Sequence, residues 1–371
     1  MDNLRGEAMK KRTCFLCFLC LLVLVSFSRS EDILNIQFVK ELSISVSDSG
    51  ETSPRTVSWI EADPNGHMYI LDRSESCIFK YDAQANLLQT MGQKGPNLGE
   101  FESPTFMVTD SSSYLYVHDM AKKKLVVFDA QGDFSRNIKY ESTGIFHLHT
   151  MKIDPQDRFI CGYSPLSAGK DDQEYRIGRF DRQFRHLDDI YIRRDVFLSK
   201  EVRKGSVVYS FQPPPFTPEV HWTMDSSGRF YVNYSNSYRI KVFSAEGELE
   251  REIRREGSMV KITPAEMALM RAKYGGPASE FLGQIPFPKV KPPVNGLYMV
   301  EDFLFVRKTR IDNRTSYDIY DRNLEYFGTL VLEFVPFLSR NRRVYTFDRG
   351  GELSTGQVNQ TQLIRYAVHF E

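Results

Sequence analysis

The sequence predicts an all-β six-bladed β-propeller in which an N-terminal strand closes the last blade and a short helix is inserted. Three observations predict it. First, an Asp in a turn is followed 18 residues later by an aromatic residue four times: Asp63 to Tyr81, Asp110 to Phe128, Asp225 to Phe243 and Asp302 to Tyr320. Second, each interval alternates short runs rich in Val, Ile, Tyr and Phe with Gly, Asp, Asn and Ser turns, the signature of strands in antiparallel order. A repeat of roughly 45 residues built from strands is the spacing of propeller blades. Third, the last unit runs out of chain after three strands, while Ile36–Val46 is a strand with no unit of its own.

Taken in order, the first unit runs from Val57 through the turn Asp63-Pro64-Asn65-Gly66, with strands at Met68–Leu71, Cys77–Tyr81 and near Leu87–Thr90. The second has Thr105–Val108, Tyr114–Val117, Leu125–Phe128 and Phe134–Ile138, and the third His147–Ile153, Phe159–Cys161, Tyr175–Phe180 and His186–Ile192. The fourth has His221–Met224, Phe230–Val232, Arg239–Phe243 and Leu249–Ile253, and the fifth Leu297–Val300, Phe303–Val306, Ser316–Tyr320 and Tyr326–Leu332. The sixth is least regular, with Phe334–Leu338, Val344–Phe347 and Leu363–Phe370. The Ile36–Val46 strand then supplies its outer edge and joins the first and last blades without a gap. The turn residues Asp63, Asp110, Asp154 and Asp225 are expected to cap their turns by bonding nearby amides.

Two insertions break the array. Residues 193–218 are Pro-rich around Pro213-Pro214-Pro215 and read as an extended loop. Residues 257–293 contain a short helix: Thr263 is its N-cap, Pro264 the first helical position, Glu266 completes a capping box, and Gly275-Gly276 ends it. Met267, Met270 and Tyr274 fall on one face of that helix, which either packs on the propeller or serves as a lid or partner-binding element.

Residues 1–30 read as an export signal: Met9 precedes Lys10-Lys11-Arg12, an apolar run spans Phe15–Phe27, and Ser26, Ser28 and Ser30 suit cleavage. An uncleaved anchor is the second reading; after cleavage no stable membrane span remains, and residues 31–371 are the propeller. The expected location is periplasmic or extracellular. Of five cysteines, only Cys77 and Cys161 lie beyond the signal. The register puts a whole blade between them, so both are expected to be buried free thiols despite the oxidising compartment. The chain has 48 basic and 48 acidic residues and is 41% hydrophobic and 13% aromatic. That composition excludes disorder, and the absence of a basic excess argues against nucleic acid as a partner.

The segment Gly92-Gln93-Lys94-Gly95-Pro96-Asn97-Leu98-Gly99-Glu100-Phe101-Glu102-Ser103-Pro104 resembles the inter-blade linker of NHL-repeat propellers. Tyr116-Val117-His118-Asp119 and Val126–Phe134 fit the strands that follow in that repeat. The chain beyond the signal also resembles bacterial exported six-bladed propeller proteins. This resemblance implies binding and scaffolding more often than catalysis, although some related six-bladed propellers are metal-dependent lactonases or lyases.

No nucleophile elbow, zinc-protease helix, phosphate loop or paired-Cys metal spacing occurs. In a four-stranded blade, the loops between second and third strands share one face of the disc with the inter-blade linkers, and loops on a rigid scaffold are where binding usually lives. That loop face should carry Asp72, Arg73, His118, Asp119, Tyr234, Arg307 and Lys308. The starts of the inner strands should add Trp59, Phe106, His147, His149, His221 and Trp222. His147 and His149 share one side of a strand and, with His221 or His118, could hold a metal; the plainer reading is that they line a wet channel. Trp59 and Trp222 are read first as inter-blade core and second as a stacking platform. Asn233, Asn313 and Asn359 head glycosylation sequons. The function expected is a non-enzymatic binding or scaffold protein that engages a protein, peptide or glycan on the loop face and needs no cofactor. The alternative is a divalent-metal hydrolase or lyase at the axial mouth.

Overall fold

The computed structural model describes residues 36–45, 53–140, 143–166, 174–194, 200–204, 207–211, 213–256, 260–274, 287–309, 315–349 and 360–370. The signal segment, Gly275-Gly276, Asn313 and Asn359 lie outside them. Strand β1 is Ile36–Ser45. Blade 1 follows as β2 (Trp59–Ala62), β3 (Met68–Asp72), β4 (Cys77–Tyr81) and β5 (Leu87–Met91). Blade 2 is β6 (Pro104–Thr109), β7 (Leu115–Asp119), β8 (Lys124–Phe128) and β9 (Phe134–Lys139). Blade 3 is β10 (Ile145–Ile153), β11 (Phe159–Pro165), β12 (Glu174–Phe180) and β13 (His186–Arg194). A hairpin, β14 (Lys200–Lys204) and β15 (Val207–Phe211), precedes blade 4: β16 (Val220–Met224), β17 (Phe230–Tyr234), β18 (Arg239–Phe243) and β19 (Leu249–Arg254). Helix α1 (Pro264–Tyr274) leads to blade 5, β20 (Val294–Val300), β21 (Phe303–Lys308), β22 (Thr315–Tyr320) and β23 (Tyr326–Leu332). Blade 6 is β24 (Leu338–Arg340), β25 (Arg343–Arg349) and β26 (Gln360–Phe370), completed by β1 in the order β1-β26-β25-β24.

The expected closure is therefore present. The strands of the sixth unit differ from expectation in one respect: its inner strand is the three residues Leu338–Arg340 rather than Phe334–Leu338. Pro336 has no amide to give a ladder, which delays pairing to the residues beyond it. The insertion at 193–218 also differs, since it carries the β14–β15 hairpin rather than only an extended loop. Val202 on one side of Gly205-Ser206, and Val207, Val208, Tyr209 and Phe211 on the other, are strand formers whose pairing the neighbouring prolines obscured.

The second and third strands of blades 1 and 2 are buried at every position, whereas the outer strands β5 and β9 alternate toward solvent. Core clusters lie between neighbouring blades. One joins blades 1 and 2 through Leu71, Ile78, Leu115 and Val126, and another joins blades 6 and 1 through Ile44, Leu363, Ile60 and Phe79. Cys77 and Cys161 are buried free thiols in different blades.

The turn Asp residues cap as expected, and the device is more general than the interval that revealed it. Asp63, Asp110, Asp154 and Asp225 each accept the amides two and four residues on, at 2.8–3.0 Å. Asp82, Asp129, Asp181 and Asp321 do the same in the turns between third and fourth strands, and Ser244 takes that place in blade 4. The residue three positions after the cap adopts a positive φ, which Gly66 and Gly228 accept without strain at φ 87°. Asp302 departs from this pattern: its carboxylate meets Arg322 at 2.8 Å, and Glu301 takes the left-handed position in a tighter turn.

Blade 3 depends on a glycine for a different reason. A Cβ on Gly162 would overlap the Tyr175 hydroxyl and lie 2.9 Å from Trp222 Nε1. Gly162→Ala should lower the urea midpoint of unfolding by the equivalent of about 2 kcal/mol, the usual cost of overpacking. Unchanged stability would mean that the Tyr175–Trp222 contact is free to swing aside.

In the helical insertion, Thr263 N donates to Glu266 Oε2 at 3.0 Å and Glu266 N to Thr263 Oγ1 at 3.2 Å, forming the capping box. Lys291 Nζ ties Glu266 at 2.7 Å and lies 5.1 Å from the Phe216 ring centroid, so the helix start is fastened toward the segment before blade 4. Met270 is buried and Leu269 exposed. Among the described residues, no helix is long and apolar enough to cross a membrane.

Candidate functional site

The up-and-down course of each blade puts the Asp-capped turns on one face of the disc, and the inter-blade linkers and loops between second and third strands on the other. On this loop face, two of the expected site residues hold the scaffold together. Asp72, fully buried, accepts from Arg55 N (2.7 Å), Thr56 N (3.1 Å), Thr56 Oγ1 (2.7 Å), Ser74 N (2.9 Å) and Ser74 Oγ (2.6 Å). These bonds clasp the incoming linker to the blade and hold the carboxyl below the usual range against the opposing effect of burial. Asp119 clasps the linker of blade 2 to its blade, accepting Glu102 N and Ser103 N at 3.0 Å. Arg73, by contrast, is exposed.

His118 is buried between Thr105 Oγ1, 2.5 Å from Nδ1, and the Tyr140 hydroxyl, 2.5 Å from Nε2, and its ring stacks on Phe106. Burial pushes its pKa down to about 3, so it is neutral at physiological pH. His147 and His149 come together, with ring centroids 4.5 Å apart. His149 Nε2 lies 2.7 Å from Ser164 Oγ and the ring stacks on Tyr175, whose hydroxyl accepts from Trp222 Nε1 at 3.2 Å. Trp222 is thus inter-blade core, packed with Ile160, Ile177 and Phe230. Burial lowers the pKa of His149 to about 3 and that of His221 to about 4, the latter also through Arg307. Among the described residues, no three His, Cys, Asp or Glu side chains converge closely enough to hold a metal. His147 and His149 thus meet without His118 or His221 completing such a group. Asn233 is fully buried and its Nδ2 donates to Ser237 O and Arg239 O, which removes it as a glycan acceptor.

The inner strands of all six blades surround an axial cavity of about 560 Å³. Of the thirteen residues expected on the loop face and at the inner-strand starts, Trp59 and Arg307 line it. Trp59 stands edge-on to Phe337 at 4.9 Å, and its Nε1 is buried without a partner among the described residues. Arg307 donates to Asn295 O and lies over the Tyr298 ring. Sequence reasoning missed the charged group nearer the turn face: Glu61, Lys152 and Arg340, with Thr109. Arg340 Nη1 donates to Ala62 O and to Thr109 Oγ1 (2.6 Å) and lies 3.9 Å from Glu61 Oε1, so it bridges blades 6, 1 and 2. Glu61 Oε1 accepts its neighbour's amide, Ala62 N, at 3.0 Å. Burial raises Glu61 to about pKa 7, and burial lowers Lys152, opposed by Glu61 across the channel. The available signal was a lone charge inside an otherwise apolar inner strand, Trp59-Ile60-Glu61-Ala62 and Thr150-Met151-Lys152-Ile153.

With six blades, a strand-exchanged closure and an axial channel in place, the comparisons with known proteins agree. The family model described as 6-bladed beta-propeller, DUF5128, matches residues 33–210. That stretch is similar to this family. The fold carries the same architecture through blade 6. A candidate exported protein of Bacteroides fragilis superposes on this propeller with a TM-score of 0.54 and 13% identity, covering 92% of this chain and 96% of its own. A member of the DUF4221 family from Bacteroides vulgatus superposes with a TM-score of 0.51 and 10% identity, covering 91% and 98%. At such identities the likeness shows the fold alone. No curated protein sequence matches the propeller.

Beside the internally bonded polar residues, the loop face of this propeller exposes apolar ones. Leu98 in the linker from blade 1 to blade 2 is 74% exposed, and Met120 in the loop after β7 39%. At the loop-face end of blade 3, Phe146 near the start of β10 is 53% exposed and Leu166 just after β11 69%.

Proposed function

We propose that this propeller is an exported binding protein, without catalysis of its own, that engages a protein or peptide partner through the loop face of blades 1 to 3. The observation that carries the reading is the set Leu98, Met120, Phe146 and Leu166, exposed at one end of consecutive blades. Single exposed apolar residues are ordinary, but several at one end of adjacent blades suit a contact surface. The polar groups that would favour a glycan there, Asp72, Asp119 and His118, are bonded within the scaffold. Export rests on the basic and apolar N-terminal segment, and the Bacteroides fragilis structure described as an exported protein is consistent with it.

The test compares wild type with the fourfold variant Leu98→Ser, Met120→Ser, Phe146→Ser and Leu166→Ser in crosslinking capture from the compartment that receives the protein. The variant should keep its thermal transition, since all four side chains already face water, and lose the captured partner by about tenfold or more, as expected when apolar contact area is removed. An unchanged set of partners, or binding to a glycan array that the variant retains, would overturn the reading.

A further inference from the structure

We propose that the cleft between blades 3 and 4 binds a tetrahedral oxyanion, the sulfate or phosphate group of a larger ligand. The inference does not depend on the partner reading above. The cleft has a volume of about 310 Å³, room for an oxyanion and several waters at about 30 Å³ each. Three pairs of residues two apart, hence on one side of their strands, converge on it: Tyr191 and Arg193 of β13, Val232 and Tyr234 of β17, and Arg239 and Lys241 of β18. No acidic residue is among the described residues that line it. The carboxylate opposite Lys241, Glu252 of β19, is already held by Arg254 Nε at 2.8 Å.

The repeat shows that this charge is peculiar to blade 4. Lys241 lies 16 residues after the turn Asp225, as Phe79 follows Asp63 and Val126 follows Asp110. Phe79 and Val126 are buried core residues. In blade 5 the same position is Asp318, whose charge is met by Lys308 at 2.8 Å and Arg255 at 3.2 Å. Blade 4 places a cation at that position with no protein counter-charge within ion-pair distance among the described residues. Arg193 adds a directional feature. Its guanidinium lies 4.0 Å from the Tyr234 ring centroid, and its Nε is buried without an acceptor among the described residues. A buried donor without a partner costs stability until an acceptor arrives, and a guanidinium is shaped for oxyanions. Three cations on one small group favour a tetrahedral oxyanion over a singly charged carboxylate.

Calorimetric titration of the full chain with inorganic phosphate and, separately, sulfate at fixed ionic strength should show saturable binding at one site. Acetate should bind at least about tenfold more weakly, because it carries less charge and fewer acceptor oxygens. Arg193→Gln and Lys241→Met should each weaken the preferred oxyanion about tenfold, the effect of losing one charge-assisted hydrogen bond. Melting each variant without anion reports its fold, and the wild-type titration stands even if a variant misfolds. Tighter phosphate assigns a phosphate-bearing ligand and tighter sulfate a sulfated one. No saturable binding by wild type, acetate binding as tight as either oxyanion, or wild-type affinity in both folded variants would overturn the proposal.

Discussion

A chain lacking residues 36–45 should have no cooperative unfolding transition. Strand β1 is paired with β26 from Ile36↔Phe370 to Ser45↔Gln362. Ile44 packs with Val57, Ile60, Tyr345 and Leu363 between blades 6 and 1, and Phe38 meets Phe334 and Phe305 edge-on. Each such apolar side chain contributes about 1.5–3 kcal/mol when fully buried. Glu41 also meets Arg365 Nε at 2.7 Å and Arg343 Nε at 2.9 Å. Arg365 is buried, and stranding a buried charge costs about 3–5 kcal/mol. Together these losses reach the whole stability of a typical domain, about 5–15 kcal/mol. They also turn β26 into an open edge prone to pairing with other chains. Circular dichroism during heating checks the expectation; a single sharp transition near the wild-type midpoint would show that the ring closes without β1.

Glu61→Gln should remove most of a pH dependence of stability between about pH 5 and 8 and make the protein more stable at the upper end. Burial in the channel raises the folded pKa of Glu61 from 4.5 to about 7. A raised folded pKa means that the folded state binds the proton more tightly than the unfolded one. The contribution is therefore fully present below about pH 4.5 and is lost as pH rises through about 7. At 1.36 kcal/mol per unit the loss amounts to about 3 kcal/mol. Arg340 and Lys152 face Glu61 and oppose the shift, while Thr109 and Ala62 N bond it. Lys152, lowered by burial, acts in the opposite sense: it adds stability as pH rises from its folded pKa toward 10.5. Glutamine keeps the acceptor for Ala62 N and cannot ionise, so the falling limb should vanish while the Lys152 limb remains. Urea midpoints measured across the range would show it. Parallel curves for wild type and Glu61→Gln would mean that Glu61 ionises as an ordinary carboxylate.

Local features of this chain are legible in its sequence, and most long-range ones are not. The capped turns were legible because each cap reaches only two and four residues ahead, so Asp63-Pro64-Asn65-Gly66 carries its own geometry. The closure was legible because a lone N-terminal strand and a blade short of one strand imply each other. The capping box at Thr263 and Glu266 is equally local. Spent polar groups were not legible. Asp72 and Asp119 sit where a ligand-facing carboxylate would sit, but linkers 16 and 17 residues upstream occupy them. His118 carries two ring nitrogens, and only folding shows that Thr105 and Tyr140 take both.

Strand order, blade number and turn chemistry were thus determined by the sequence alone, since short apolar runs between capped turns and short-range hydrogen bonds act within a few residues of their source. Only the tertiary structure decided which side chains remain available. It brought Glu61, Thr109, Lys152 and Arg340 from four blades to one channel, and Arg193 and Lys241 from two blades to one cleft. Electrostatics and desolvation act through space, so groups far apart in the chain share one low-dielectric site that no local pattern records.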